Sequence, residues 1–324
     1  MNSPRDRGFL RLIAGDGRPL LAAVALALLA AGGFAVFVAV RGEFLPHDTA
    51  YLGITPQTLC QVNRCRIVHF MVHDRVAFGG ALMAIGVVYL WLVAGPLGAG
   101  RRWAWELLAA SGATGFVSFL AYLGYGYLDT WHGVATLALL PLFISGLTLN
   151  RSTLRPADDT RWLVRPPWWT TVRDRRCVGR ALLVAVAVGM VCGGATIAAV
   201  GMTTVFVPDD TAFLGMDRTD LDAVNPRLVP LIAHDRAGFG GAVCCGGLLL
   251  AGVGWRADLN RSALEALALA GVFGFGGAIL VHLAIGYTNP FHLAPAVVGA
   301  ALFTIGLALV SSVAVTSRVA QGKP

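Results

Sequence analysis

Two copies of one phrase each set three consecutive ionisable residues inside apolar sequence. His73-Asp74-Arg75-Val76-Ala77-Phe78-Gly79-Gly80-Ala81 lies early in one apolar run, and His234-Asp235-Arg236-Ala237-Gly238-Phe239-Gly240-Gly241-Ala242 lies early in another. Three consecutive ionisable side chains at the head of a membrane-grade helix are costly, and keeping them twice points to a role beyond packing. The plainer alternative is that His-Asp-Arg marks the polar edge of a span and Phe-Gly-Gly-Ala a close helix contact.

Two further histidines, His132 and His292, follow the first pair at separations of 59 and 58 residues. Each half of the chain thus puts one histidine near the outer end of its second apolar helix and another at the outer start of its fourth, at similar depth. Paired helical histidines at matched depth are a common way for a membrane bundle to hold a haem iron between two axial ligands. The expected ligand pairs are His73 with His132 and His234 with His292. Below His73, positions i+4, i+7 and i+11 are Ala77, Gly80 and Ala84; below His234 they are Gly238, Gly241 and Cys245. Such a stripe either leaves room for a flat macrocycle or lets two helices touch. Arg75 and Arg236 are placed to meet haem propionates or lipid headgroups.

Asp74 and Asp235 follow their histidines by one residue and so point about 100° away. They are expected to orient an imidazole on an adjacent helix rather than their own neighbour. His69 and His282 match Pro230 and Tyr122 in the other half, so they are not expected to be ligands of a repeated site. His282 nevertheless lies near the outer end of the seventh apolar segment, close in depth to His234 and His292, which keeps a metal site in the second half open as an alternative. Cys60 and Cys65 occur in one outer loop only, and in an oxidising compartment they are expected to form a disulfide. Cys177, Cys192, Cys244 and Cys245 lie in or beside apolar runs without ligand-like repetition and read as small packing residues.

The elements that must position these groups are membrane helices. Of 324 residues 56% are hydrophobic and 13% charged, and mean hydropathy is +0.68; this composition excludes an ordinary soluble domain. Eight apolar segments are expected, over about 20–40, 67–94, 104–126, 132–149, 179–203, 229–254, 263–285 and 292–315. The net charge of +7 is nearly all arginine and sits in a few loops, so it is a topology signal and not a nucleic-acid footprint. Arg5, Arg7, Arg11 and Arg18, Arg101 with Arg102, the linker arginines, Arg256 with Arg261, and Arg318 with Lys323 fall on one side. Both termini are therefore expected in the cytoplasm, in an inner membrane, with the first apolar stretch retained as a helix. The linker also carries Pro156, Pro166 and Pro167, which break helix, and Trp162, Trp168 and Trp169, expected as interface anchors.

The two halves match at an offset that drifts only from 162 to 160 residues. His47-Asp48-Thr49-Ala50-Tyr51-Leu52-Gly53 answers Asp209-Asp210-Thr211-Ala212-Phe213-Leu214-Gly215, Val62-Asn63 answers Val224-Asn225, and Arg66 answers Arg227 after a one-residue gap. Gly126-Tyr127 with His132 answers Gly286-Tyr287 with His292. The expected fold is an all-α integral membrane protein: residues 1–150 form a four-helix repeat with an outer cap, 151–178 a cytoplasmic linker, and 179–324 a second repeat. A pseudo-twofold along the membrane normal would relate the repeats. The outer loops 41–66 and 204–228 are expected to fold as caps, with Asp48-Thr49 and Asp210-Thr211 as helix-capping residues.

This layout resembles the heme A synthase family. The resemblance rests on eight spans in two four-helix halves, on histidines at the places of His73, His132, His234 and His292, and on long outer loops with a cysteine pair, Cys60 and Cys65, in the first. It implies haem binding, one group per half, with those histidines as iron ligands. In the family the first-half histidine belongs to a Glu-x-x-His-Arg motif. Here Phe70 stands at the glutamate position and Asp74 separates His73 from Arg75, so haem binding is carried over and heme A synthesis is not. The expected function is a haem-binding membrane protein in electron transfer or oxidoreductase chemistry near the outer face, with a quinone or electron-transfer partner. The alternatives are a cofactor-free membrane subunit with structural His-Asp-Arg motifs, a transporter with parallel repeats, and a metal-dependent enzyme. The sequence has no Gly-rich phosphate loop, no Ser-His-Asp order and no Cys-x-x-Cys motif.

Overall fold

The computed structural model describes residues 15–120, 127, 130–155 and 174–320. Arg5, Arg7 and Arg11, Tyr122, Gly126, the linker's Pro156, Trp162 and Trp168 and Lys323 lie outside the described residues. Among the described residues every regular element is a helix.

The chain enters at α1 (Arg18–Val40), whose 23 residues rise about 34 Å, enough to cross an apolar layer of about 30 Å. The first cap comes next as two short helices, α2 (Pro46–Leu52) and α3 (Pro56–Cys60), each opened by a proline where no backbone N–H is needed. A 3₁₀ turn at Asn63–Cys65 leads into α4 (Arg66–Leu92), which runs into a π turn at Val93–Leu97. α5 (Arg102–Leu120) and α6 (Thr130–Asn150) complete the first half. The second half opens with α7 (Arg175–Gly201), capped by Asp174. Its cap comprises α8 (Pro208–Leu214) and α9 (Arg218–Val224), the latter opened by a reciprocal Asp217–Asp220 capping box. After α10 (Leu228–Arg256) come α11 (Arg261–Gly271), a π turn at Val272–Gly276, α12 (Gly277–Ile285) and α13 (Pro290–Ala320).

Seven of these helical segments are long and apolar enough to cross a membrane, against eight segments expected from sequence. The segment expected at 104–126 appears as α5, which carries Arg102 and Glu106 at its start and is described only to Leu120, so it is not one of the seven. Two helices form the centre: α4 and α10 are buried over 67% of their most apolar stretch, against 22% or less for the other five.

Close contact between helices rests on glycine. A Cβ on Gly32 of α1 would stand 2.5 Å from the Gly79 carbonyl oxygen of α4, and one on Gly194 of α7 would stand 2.6 Å from that of Gly240 on α10. In lipid, where apolar side chains gain little by leaving their surroundings, such backbone proximity is a main source of helix association. α4 also packs on α10, α11, the second π turn and α12, while α5 packs on α10. The central helix of each half is therefore flanked by helices of the other. Toward the opposite end, the buried Arg180 donates to the carbonyls of Gly254 and Ala257 at 3.2 and 2.7 Å, satisfying the last turn of α10.

Candidate functional site

Where α4 and α10 meet below the caps, six ionic groups interlock away from solvent. Arg75 binds Asp48 at 2.7 Å and Asp235 at 3.1 Å; Arg236 binds Asp210 at 2.6 Å and Asp74 at 3.4 Å. Tyr127 donates to Asp48 at 2.5 Å and Tyr287 to Asp210 at 2.8 Å. Arg75 lies over the ring of Phe44, and Arg236 over that of Phe70. The structure corrects the placement of both arginines at propionates or headgroups. They are 8% and 6% exposed and bound to aspartates, because each finds a carboxylate on a cap and another on the opposite central helix. Asp210 makes the capping bond expected of it, accepting from the Val207 N–H at 2.7 Å, whereas the helix of Asp48 starts after Leu45 without a side-chain cap; both aspartates accept from tyrosine and arginine. Phe70, at the place of the family's glutamate, is a fully buried ring stacked near His73 at 6.2 Å.

Four carboxylates against two guanidiniums leave this core two negative charges in excess when all are ionised, and a further cationic group is favoured nearby. The histidines stand there. His73, His282 and His292 each place one ring nitrogen within 4.8 Å of the other two. His73 Nδ1 lies 2.9 Å from Asp74 Oδ1, His282 Nδ1 lies 2.6 Å from the Ala278 carbonyl, and His292 Nδ1 lies 3.1 Å from the Tyr287 hydroxyl. A carbonyl only accepts, an ionised carboxylate only accepts, and the Tyr287 proton goes to Asp210. Burial and the Asp210 carboxylate hold the Tyr287 phenol well above the usual tyrosine range, so that proton is retained. In the neutral rings each Nδ1 is thereby a donor and each Nε2 carries a lone pair. His73 Nε2 and His282 Nε2 face one another at 3.0 Å. Two lone pairs at that distance repel unless a cation lies between or beside them.

The second π turn supplies the third imidazole. A π turn holds one residue more than an α turn and rotates the succeeding helix by about 100°. Gly277, Val281 and His282 then face α4: a Cβ on Gly277 would stand 3.6 Å from the Gly80 Cα, and Val281 packs on Val76. Repetition in the sequence does not mark His282, because its counterpart is Tyr122. Its depth, close to that of His292, is the signal that finds it.

The histidines expected to pair within halves are in contact across them instead. His73 meets His282 and His292, while His132 Nδ1 meets His234 Nε2 at 3.0 Å with their rings 5.1 Å apart. The halves exchange partners because α4 and α10 cross at the centre. Asp74 contacts its own neighbour, contrary to expectation, since Arg236 holds its second oxygen and leaves the first for His73.

The sequence also leads to the expectation of a haem between such histidines, and the packing does not fit one. Axial nitrogens each about 2 Å from a metal stand about 4 Å apart, whereas both contacts here are direct. The small-residue stripe is already filled: a Cβ on Gly80 would stand 2.5 Å from the Phe273 carbonyl oxygen, and one on Gly241 would meet Ser118. The stripe is a helix contact and not a slot for a macrocycle.

The caps close the site across the halves. Asn63 donates to the Leu214 carbonyl and Arg66 to that of Phe213 at 3.1 Å; Asn225 donates to the Leu52 carbonyl at 2.8 Å and Arg227 to that of Tyr51 at 2.5 Å. Cys60 and Cys65 form a disulfide. Within it, Asn63, Arg64 and Cys65 all have positive φ, at 55°, 51° and 65°. That conformation costs on the order of 1–2 kcal/mol per ordinary residue, and the disulfide and the Asn63 bond hold the segment there. No family model, curated protein or solved structure matches this chain.

Proposed function

We propose that this protein is a multi-pass membrane metalloprotein whose centre is a divalent first-row transition-metal ion held by His73, His282 and His292 just beneath the outer caps. The observation that carries it is the convergence of one ring nitrogen from each of three histidines, with every Nδ1 anchored by a hydrogen bond. Metal-bound histidines characteristically donate their second nitrogen to a carboxylate, carbonyl or similar acceptor, and here each does so to a different one. Imidazole ligands suit zinc, copper, iron and nickel. Three side-chain ligands leave a position for water or substrate, the pattern of a reactive site. An ion there would supply Lewis acidity or one-electron chemistry. The protein's own part is to fix the three rings, to balance the ion's charge through Asp74 and Asp210, and to seal the core with Phe70 and Phe213.

The same proposal includes the finer architecture: two tandem parallel repeats of four helices, both termini cytoplasmic, in an inner membrane. Its support is the matching of contacts: Arg75 with Arg236, Tyr127 with Tyr287, Asn63 with Asn225, and Gly32–Gly79 with Gly194–Gly240 each make equivalent bonds or approaches. The orientation rests on the arginine-rich loops.

A second reading keeps haem, favoured by the bis-histidine contact of His132 and His234. It requires that pair to part and α5 to move from Gly241. Elemental analysis with an absorption spectrum of the detergent-purified protein separates the two. One equivalent of metal without a Soret band, abolished by His282→Ala and retained in His132→Ala, is the expected result. A Soret band lost in His132→Ala would favour haem, and metal content unchanged in His282→Ala would overturn the trihistidine centre.

A further inference from the structure

Above the trihistidine cluster the outer surface opens into a cavity of about 290 Å³ lined by Arg64, Arg66, His69, Phe213, Ile285 and Gly286. Its volume is at the small end of ligand-binding pockets. Its floor is aromatic: Phe213 stacks on Tyr287 at 4.6 Å, and Tyr287 stacks on His292 at 4.4 Å. His69 is one helical turn above His73, about 6 Å along α4. One aromatic layer therefore separates the cavity from the proposed ion.

The charge on its wall is uncompensated. Among the described residues neither Arg64 nor Arg66 has a carboxylate within ion-pair distance, and the first turn of α4 contains no acid. Two arginines at the positive end of a 27-residue helix with no acid in its first turn repel its macrodipole, a combination that an oxyanion relieves. Arg64 is exposed, and the disulfide-closed turn with its left-handed backbone sets it on the cavity wall.

The features that have no counterpart in the other half converge here. Cys60 and Cys65 brace the turn, His69 lines the cavity, and His282 completes the cluster below; their partners across the sequence match are not cysteines or histidines. At the opposite cap Arg227 bonds the Tyr51 carbonyl, as Arg66 bonds that of Phe213, and in addition lies over the Tyr51 ring.

We propose that this cavity binds a phosphate oxyanion, carried either by a small substrate or by a lipid headgroup, and holds it next to the metal centre. Arginine pairs favour phosphate through bidentate hydrogen bonding. The placement beside the ion rests on the trihistidine reading, whereas anion binding itself does not.

The test uses full-length protein. In neutral detergent, inorganic phosphate is titrated by calorimetry; in nanodiscs of phosphatidylcholine with phosphatidylglycerol, retained lipid is counted by native mass spectrometry. Saturable phosphate binding supports a small substrate, and one retained phosphatidylglycerol supports a headgroup. In either arm Arg64→Gln with Arg66→Gln weakens binding at least tenfold, while Arg227→Gln, which removes the matching arginine of the opposite cap, leaves it within twofold. His282→Ala, which dismantles the metal cluster, leaves anion binding in place, so the two proposals fail separately. Absence of binding in both arms, or equal weakening by Arg227→Gln, overturns the inference.

Discussion

Asp74 sits between two demands: one oxygen takes the His73 Nδ1 proton and the other faces Arg236. Asp74→Asn keeps the shape and removes the charge. Loss of such a partner costs about 10–100-fold in metal affinity, and we expect that fall in a competition titration with a chromogenic chelator. Asp235→Asn is the control: Asp235 bonds Arg75 and touches none of the three ligands, so affinity should fall by less than threefold. Equal losses would mean that the two aspartates serve only the ion-pair network. At this scale His73 and His292 are legible in the sequence because they recur. The direct bond from Asp74 to His73 is not, since adjacent side chains on a helix diverge in direction and only the pull of Arg236 turns this one back. His282 recurs nowhere, so repetition does not find it.

The second π turn sets which face of α12 meets α4. Deleting Gly274 should convert Val272–Gly276 to ordinary α-helix, rotating α12 by about 100°. Gly274 is a suitable site because even an added Cβ there would meet only the Ala84 methyl, at 3.6 Å, so its removal leaves no unfilled side-chain space. We expect the protein to stay monodisperse in detergent while metal content falls below a tenth of an equivalent, because His282 turns toward lipid. Retained metal would show that α12 reaches α4 without the π turn. Apolar length makes most helices legible: α1, α4, α6, α7, α10 and α13 all lie on expected segments. The π turns are not, because Val272-Phe273-Gly274-Phe275-Gly276 has the composition of any packed membrane helix. The caps show only as a shared pattern, and their helices come from prolines at Pro46, Pro56 and Pro208 that fix where each begins.

Across the whole molecule the decisive contacts join residues widely separated in the chain: Arg75 to Asp235, Arg236 to Asp74, His73 to His282, His132 to His234. Hydrophobic periodicity shows that a helix is apolar and not which helix it will meet, so the matched sequence halves read as two bundles while the ionic core ties them crosswise. The consequence is testable by cutting the chain in the linker. Alone, residues 1–150 keep Arg75 with Asp48 but lose Asp235, leave Asp74 without Arg236, and retain one of the three metal ligands. Residues 179–324 lose Asp74 and retain two. Breaking a buried ion pair by removing one partner costs roughly 3–5 kcal/mol, and each half breaks two at once, against a total stability of about 5–15 kcal/mol for a whole domain. Neither half expressed alone should remain monodisperse or bind metal. Co-expressed, they should co-purify as a one-to-one complex with one equivalent of metal, since both cross-half ion pairs and all three histidines are restored. A single half that stays folded and holds metal would mean that the site belongs to one bundle and that the crossed contacts are secondary.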